Sequence, residues 1–333
     1  MPVDPRFTSR AFRPGDEEPI LQLFHRAFPH ASRGVKHFRW EYQRNPYGNE
    51  RIALTFDENG QLVAQYAGYP VAMIDDGHEI VANQIGDIMT DRSVRQVGRG
   101  LTSILARTAQ HFYDAFCRGK VAFNYGFTTD SHRQLSVRFL GSDAVEPAPY
   151  RVRDLVRNPI VPITRRERLL RGWQLELVND VDDEFDEFFA YVAPAYRFLV
   201  RRDASYLRWR YLDCPDVSYF IVAIRKWRRL VGWSVFGVRG SRLAWGDALF
   251  DPRFPKAAEV LLRSVVPKYP VDRIDGWFPA RPQWFDRVLR ELHFESRLDP
   301  QDLSLMCVPF DLPDASARMT DRFYYTYGDS DLF

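Results

Sequence analysis

Two copies of one pattern run through this sequence, and that duplication limits the possible folds more than any other feature. Phe38-Arg39-Trp40-Glu41-Tyr42 recurs as Leu207-Arg208-Trp209-Arg210-Tyr211, and Pro46 recurs as Pro215. Trp40 and Trp209 lie 169 positions apart, as do the two prolines. Leu62-Val63-Ala64 returns as Leu230-Val231-Gly232, Gly86-Asp87 as Gly246-Asp247, and Tyr125-Gly126-Phe127 as Asp275-Gly276-Trp277-Phe278. Five anchors in one order mark a two-copy duplication, so two related lobes packed together are expected. With 333 residues the chain is long enough for two domains of ordinary size.

The first copy reads as strand, two helices, three antiparallel strands, a glycine-containing turn, a long helix, a strand and a short helix. A strand over 7–12 ends at Arg13-Pro14-Gly15, and Asp16 can cap a helix to about residue 28. A second helix over 35–43 stops before Asn45-Pro46-Tyr47-Gly48. Strands over 51–56, 62–73 and 79–90 are joined by turns at Glu58-Asn59-Gly60 and Asp75-Asp76-Gly77. Then come Arg95-Gln96-Val97-Gly98-Arg99-Gly100, a helix over 101–118, a strand over 121–126, and a helix over 131–140 closed by Gly141.

A strand that runs through a glycine turn into a helix presents unpaired N–H groups at the positive end of the helix dipole. Gly98 and Gly100 would let a phosphate approach the backbone, and Arg95 and Arg99 could pair with a diphosphate. The P-loop string is absent. The dinucleotide fingerprint lacks its third glycine, at Ser103, and has Asn124 where an acid belongs. The plainer alternative is an ordinary helix N-terminus with a glycine turn. Arg95-x-x-Gly98-x-Gly100 fits the R/Q-x-x-G-x-G/A loop of the GNAT acyltransferases, and the chain resembles that family. The order of elements and the closing Leu140-Gly141 are similar too. The resemblance covers residues 7–145 in full and 173–297 more weakly.

The resemblance implies an α/β fold of two tandem GNAT-like lobes, each a mixed, mostly antiparallel twisted sheet flanked by helices. The expected division is a lobe with an intact coenzyme A loop over 1–150, a crossing segment over 151–171, a degenerate lobe over 172–310, and a tail over 311–333 packing on the lobes. The second copy has Ala248-Leu249-Phe250-Asp251-Pro252-Arg253-Phe254-Pro255-Lys256 after Asp247, with no glycine and two prolines that remove donors. Coenzyme binding is therefore expected in the first lobe alone. Family members with one live and one degenerate lobe, including those of polysaccharide and amino-sugar loci, look similar in W-x-Y-x-x-x-P and in a tail like Gly328-Asp329-Ser330-Asp331. The Eis-like aminoglycoside acetyltransferases are a more distant resemblance.

Acyl transfer from a thioester to an amine needs the thioester held, its carbonyl polarised, the amine deprotonated and the thiolate protonated. By resemblance, Arg95, Gln96, Val97, Gly98, Arg99, Gly100 and Leu101 cradle the pyrophosphate of coenzyme A. Met89 or Thr90 supplies a backbone N–H to the carbonyl, and the pantetheine arm lies between the fourth and fifth strands. The acids on offer as base are Asp87, Asp91, Asp130, Asp329 and Asp331. Asp87 sits among apolar residues that would raise its pKa, although its repeat as Asp247 also suits a structural role. The tyrosine that many members carry in the helix after the fifth strand is missing from Ser136-Val137-Arg138-Phe139, leaving Tyr125 as the substitute acid. The aromatic run Phe323, Tyr324, Tyr325 and Tyr327 favours packing of the tail, which would bring Asp329 and Asp331 to Asp87 and Tyr125. Trp40 and Tyr42, kept as Trp209 and Tyr211, read as packing anchors.

The expected function is acyl transfer from an acyl-CoA, acetyl-CoA first, to an amine of a small molecule or sugar. The alternatives are a non-catalytic acyl-CoA-binding scaffold and a Fem-like aminoacyl transferase, the latter disfavoured by the intact loop. A net charge of +2 argues against a nucleic-acid partner. No apolar run reaches a membrane span and no secretory leader is evident, and three scattered cysteines suit a reducing compartment. A cytoplasmic monomer is expected. Neither HExxH nor Cys/His clustering occurs, so no metal is expected.

Overall fold

The computed structural model describes residues 5–30, 33–331 and 333. Residues 1–4, read above for a leader, and Leu332 of the C-terminal run lie outside them. The chain forms two compact units: residues 1–73, 80–146 and 301–320 in the first, and 74–79, 147–300 and 321–333 in the second.

The elements in chain order are β1 (Thr8–Ala11), α1 (Glu17–Ala27), α2 (Val35–Phe38), β2 (Arg51–Phe56), β3 (Leu62–Asp75), β4 (His78–Thr90), α3 (Ile104–Phe116), β5 (Phe123–Thr128), α4 (Asp130–Phe139), β6 (Asp143–Pro147) and β7 (Tyr150–Asp154). They continue with α5 (Arg165–Leu170), β8 (Trp173–Val178), α6 (Asp183–Val192), β9 (Phe198–Val200), α7 (Ala204–Leu207), β10 (Phe220–Lys226), β11 (Arg229–Arg239), β12 (Arg242–Phe250), α8 (Lys256–Val265), β13 (Arg273–Trp277) and α9 (Gln283–Glu291). The last are β14 (Glu295–Arg297), β15 (Ser304–Pro309), α10 (Ala315–Arg322) and β16 (Phe323–Tyr324).

The first unit's sheet runs β1-β2-β3-β4-β5-β15-β6, and the second's runs β14-β7-β13-β12-β11-β10-β8. Both are mostly antiparallel, with parallel junctions where β4 meets β5 and where β12 meets β13. Helix α3 lays Ala106, Ala109, Phe112 and Tyr113 on Ala53 and Tyr66, the apolar spacing of a helix with one buried face. The second unit is filled by rings, with Trp233, Trp245 and Trp277 fully buried.

The expected boundaries need correction at three places. Residues 150–154 are not a crossing segment: β7 pairs with β13 on one side and β14 on the other. Residues 304–309 leave the second lobe and pair with β5 along its whole length, from Ser304 opposite Thr128 to Pro309 opposite Phe123. The C-terminal stretch is divided as well, 311–320 in the first unit and 321–333 in the second. The strands either side of Pro147-Ala148-Pro149 therefore do not close on each other as a hairpin, and each sheet completes itself with a strand remote in sequence.

Local details also differ. Asp16 stands at the N-cap of α1, but its carboxylate accepts from Arg10 at 2.6 and 2.7 Å rather than from a helix amide. The second helix is α-helical only over Val35–Phe38 and widens to a π-turn over Arg39–Gln43, a widening repeated over Arg208–Leu212. Such turns mark functional positions often enough to single these two out. No helix among the described residues is long and apolar enough to cross a membrane.

Candidate active site

The site is built where β4 ends. Asp87 interrupts the strand with φ +50°, the left-handed region that an aspartate tolerates better than most residues. Holding it there costs about 1–3 kcal/mol. Its carboxylate is buried and gripped by Arg33, whose Nη1 lies 2.6 and 2.5 Å from the two oxygens. Tyr42, from the π-turn, donates its hydroxyl to Asp87 Oδ2 at 3.0 Å. The same Arg33 nitrogen reaches Glu41 Oε2 at 3.4 Å, and His37 Nε2 lies 3.2 Å from that oxygen. Burial pushes the Asp87 carboxyl up from its ordinary value. Arg33 and the Tyr42 bond oppose the shift, and the neighbouring Glu41 charge adds to it. A small pocket opens on this group, walled by Ile20, Phe24, Phe38 and Met89.

Strands β4 and β5 are paired only at Asn83–Asn124 and Gln84–Tyr125; beyond that they carry no pairing to each other. Tyr125 is buried at the parting point and donates to Gln84 Oε1 at 3.2 Å. Along the parted strands several buried polar atoms have no partner among the described residues: Gln84 Nε2, Thr90 Oγ1, Asn124 Nδ2 and Thr128 Oγ1. Buried polar atoms are ordinarily satisfied, so these are free to serve an amide-bearing ligand. Met89 and Thr90 lie on this stretch, Met89 against the Asp87 pocket.

The glycine turn follows. Gly98 has φ +72° and Gly100 φ +59°. A Cβ at Gly98 would stand 2.2 Å from Thr102 O, and one at Gly100 2.9 Å from the Phe139 ring, so both positions require glycine. Among the described residues the amides of Gln96, Gly98 and Gly100 make no hydrogen bond. The long helix starts at Ile104 rather than residue 101. A 3-10 turn, Gly100–Thr102, precedes it, and Ser103 caps it by accepting from Ala106 N at 3.3 Å. Arg95, Gln96 and Arg99 are exposed, Val97 is half-buried against Val63 and Val94, and Leu101 is exposed at the mouth of an open cleft of about 640 Å³. The cleft follows α3 to Gln110 and Arg118, with Phe139 and Phe310 across it.

The second unit repeats the Asp87 group and fills it. Arg202 Nε lies 3.0 Å from both oxygens of Asp247, and Tyr211 donates to Asp247 Oδ2 at 2.7 Å. Arg202 also bonds Asp329 Oδ2 at 2.5 Å, and all three charged side chains are fully buried. Strands β12 and β13 part after Ala244 and Asp275. The ring of Tyr327 packs on Trp277, and Phe333 lies against Gly246, where a Cβ would be 1.8 Å from the ring. In the turn after β12, Asp251 folds its carboxylate back onto Arg253 N at 3.0 Å.

The tail is therefore packed as expected, but its destination is corrected. Asp329 is spent on Arg202 and the Thr326 amide within the second unit, and Asp331 sits half-buried in the same run. Asp329, committed to these partners, is not available to Asp87 or Tyr125. Asp91 accepts from Arg26 and from Ser93 N, and Asp130 holds Arg133 and Gln134, so both have structural work. Tyr42 and Tyr211 do more than pack, since each orients an aspartate. Reading the sequence missed Arg33, His37 and Glu41. Arg33 had a signal: Arg202 lies 169 residues on, the spacing of the tryptophans.

Residues 8–134 match the family of the acetyltransferase (GNAT) domain. No curated protein matches the sequence. Among solved structures, a probable N-acyltransferase of unknown function from Enterococcus faecalis aligns with a TM-score of 0.68 over 95% of this chain and 75% of its own, at 12% identity. A GCN5-related N-acetyltransferase from Anabaena variabilis aligns at 0.67 over 91% and 72%, with 13% identity. Saccharomyces cerevisiae N-myristoyltransferase with bound myristoyl-CoA aligns at 0.59 over 92% and 84%, with 9% identity. At these identities the likeness is one of fold. Residues 8–134 therefore carry an acetyltransferase (GNAT) domain, and the chain as a whole shares the fold of these structures.

Proposed function

We propose that the first unit transfers an acetyl group from acetyl-CoA to an amine of a small molecule or sugar, by direct attack on the thioester. The observation that carries this reading is the glycine turn, whose unpaired amides adjoin two parted strands lined with unsatisfied polar atoms. The residues fit the coenzyme: Gln96, Gly98 and Gly100 offer donors to its pyrophosphate, Arg95 and Arg99 offer charge, and the gap after Gln84 and Tyr125 suits its amide arm. Met89 and Thr90 supply the strand amide for the carbonyl. The acceptor ammonium gives one proton to Asp87, directly or through water. Its nitrogen attacks the thioester carbon and the C–N bond forms; as the tetrahedral adduct collapses the C–S bond breaks, the nitrogen gives its second proton to water, and the sulfur leaves as a thiolate that takes a proton, for which Tyr125, reprotonated from water, is proposed. The second unit is structural, its corresponding places taken by Asp251 and by residues 326–331 and 333.

Release of free coenzyme A from acetyl-CoA with a panel of amines tests the proposal; calorimetric binding of acetyl-CoA without release for any amine would leave a scaffold instead. Asp87→Asn is expected to lower kcat by about 10²-fold or more with acetyl-CoA affinity kept. The rate should rise with pH through a limb above the ordinary carboxylate range, because burial and Glu41 hold the Asp87 proton. Tyr42→Phe removes a bond that favours the anion, so the limb should move to still higher pH. A limb that stays put in Tyr42→Phe, or full turnover in Asp87→Asn, would remove Asp87 as the base.

A further inference from the structure

Helix α5, in the second unit, buries none of its residues. It ends in two leucines, side chains that ordinarily lie inside, yet Leu169 and Leu170 are both exposed, Leu170 by 73%. With Arg165 and Arg166 they line one open face. The ring of Trp227 adjoins them. Gly172, at φ +71°, carries the chain from the helix into β8, and a Cβ there would stand 2.5 Å from that ring. Trp227 N donates to Gly172 O at 2.8 Å. Packing on Gly172 still leaves Trp227 69% exposed. Single exposed apolar side chains are ordinary, but two leucines and an indole at one junction form a patch.

The hairpin that presents Trp227 runs against its own turn preference. Lys226 pairs with Arg229, so Trp227 and Arg228 form a two-residue turn, with φ +49° and +74°. Such a turn favours Asn-Gly, because both residues occupy the left-handed region. A bulky ring and a long cation stand there instead, both exposed. Strain kept at a surface tip points to a contact rather than to a need of the fold. Charge complementarity then names the partner. Residues 161–172 and 226–229 hold seven arginines and lysines against one acid, Glu167, which Arg171 already bridges at 3.1 Å. Arg165, Arg166 and Arg228 make no ion pair among the described residues. A second copy of the chain would bring like charges together, and a nucleic acid would leave the leucines uncovered. A surface that is anionic outside and apolar just beneath takes both kinds of side chain at once. We propose that this face docks on an anionic lipid surface, with Leu169, Leu170 and Trp227 entering the headgroup boundary and the arginines meeting lipid phosphates.

Cosedimentation of the full chain with vesicles tests this. Partition onto phosphatidylcholine vesicles containing about one third phosphatidylglycerol, at about 0.1 M salt, is expected to be at least about tenfold stronger than onto phosphatidylcholine alone. Arg165→Glu with Arg166→Glu should lower it at least about tenfold, and Leu170→Ser with Trp227→Ser by a similar factor. Arg287→Glu with Arg290→Glu, at exposed positions of α9, makes the same change in net charge and should leave partition within about twofold. Absent binding, equal partition onto both kinds of vesicle, or an equal loss in the α9 pair overturns the proposal. So does a serine pair that partitions as the unaltered chain does, or tighter binding of single-stranded polyuridine than of the anionic vesicles. If the variants fail to fold, the unaltered chain on the two kinds of vesicle decides.

Discussion

Gly98→Val is expected to abolish acetyl-CoA binding, with a loss of at least about a hundredfold, or ~2.7 kcal/mol. The residue at 98 must hold φ +72°, where a β-branched side chain is strained, and its first carbon would overlap Thr102 O. The turn would have to open, which would displace the unbonded amides of Gln96, Gly98 and Gly100. Arg95→Ala removes charge without moving the backbone and should cost less. The matched control is Pro252→Ala in the second unit, where Asp251 closes the turn on itself. Calorimetry with unchanged affinity in Gly98→Val, or equal losses at both turns, would place the coenzyme elsewhere. Circular dichroism separates this outcome from general unfolding.

Arg202→Ala should be the most destabilising of the single substitutions considered for the second unit, at about 3–5 kcal/mol. The guanidinium is fully buried and holds Asp247 and Asp329 at once. Its removal leaves two carboxylates in a dry site with no cation between them, and Thr326 and Asp329 lose their shared tie. Arg33→Ala makes the same chemical change in the first unit. There the arginine side chain is 19% exposed, so water can reach the abandoned acids and the loss should be smaller. Urea unfolding compares the two. A loss below ~1 kcal/mol for Arg202→Ala, or a larger one for Arg33→Ala, would contradict the account.

The parts of this architecture that the sequence reveals are those written locally. The glycine turn is legible because positive φ and close approach both demand glycine at 98 and 100. The duplication is legible because Trp40, Asp87 and their counterparts keep order and spacing. The partnership of β5 with β15 is not legible, since nothing in residues 123–128 distinguishes a strand 15 residues further on (143 − 128) from one remote in the chain. The aromatic tail announces burial, but its acids suit any buried cation, and whether Arg33 or Arg202 receives them depends on tertiary packing.

The pairing of β5 with β15 has a consequence for synthesis. More than 150 residues separate the end of β6 from the start of β15. At about 5–20 residues per second, the ribosome needs on the order of ten to thirty seconds to cover that distance. Throughout that time the outer edge of β5 lacks the neighbour it has in the finished sheet, although β1 to β6 have already emerged. An unpaired edge of that kind invites association between nascent chains. The unit that carries the GNAT domain is thus translated first and completed late, after most of the second unit has been made.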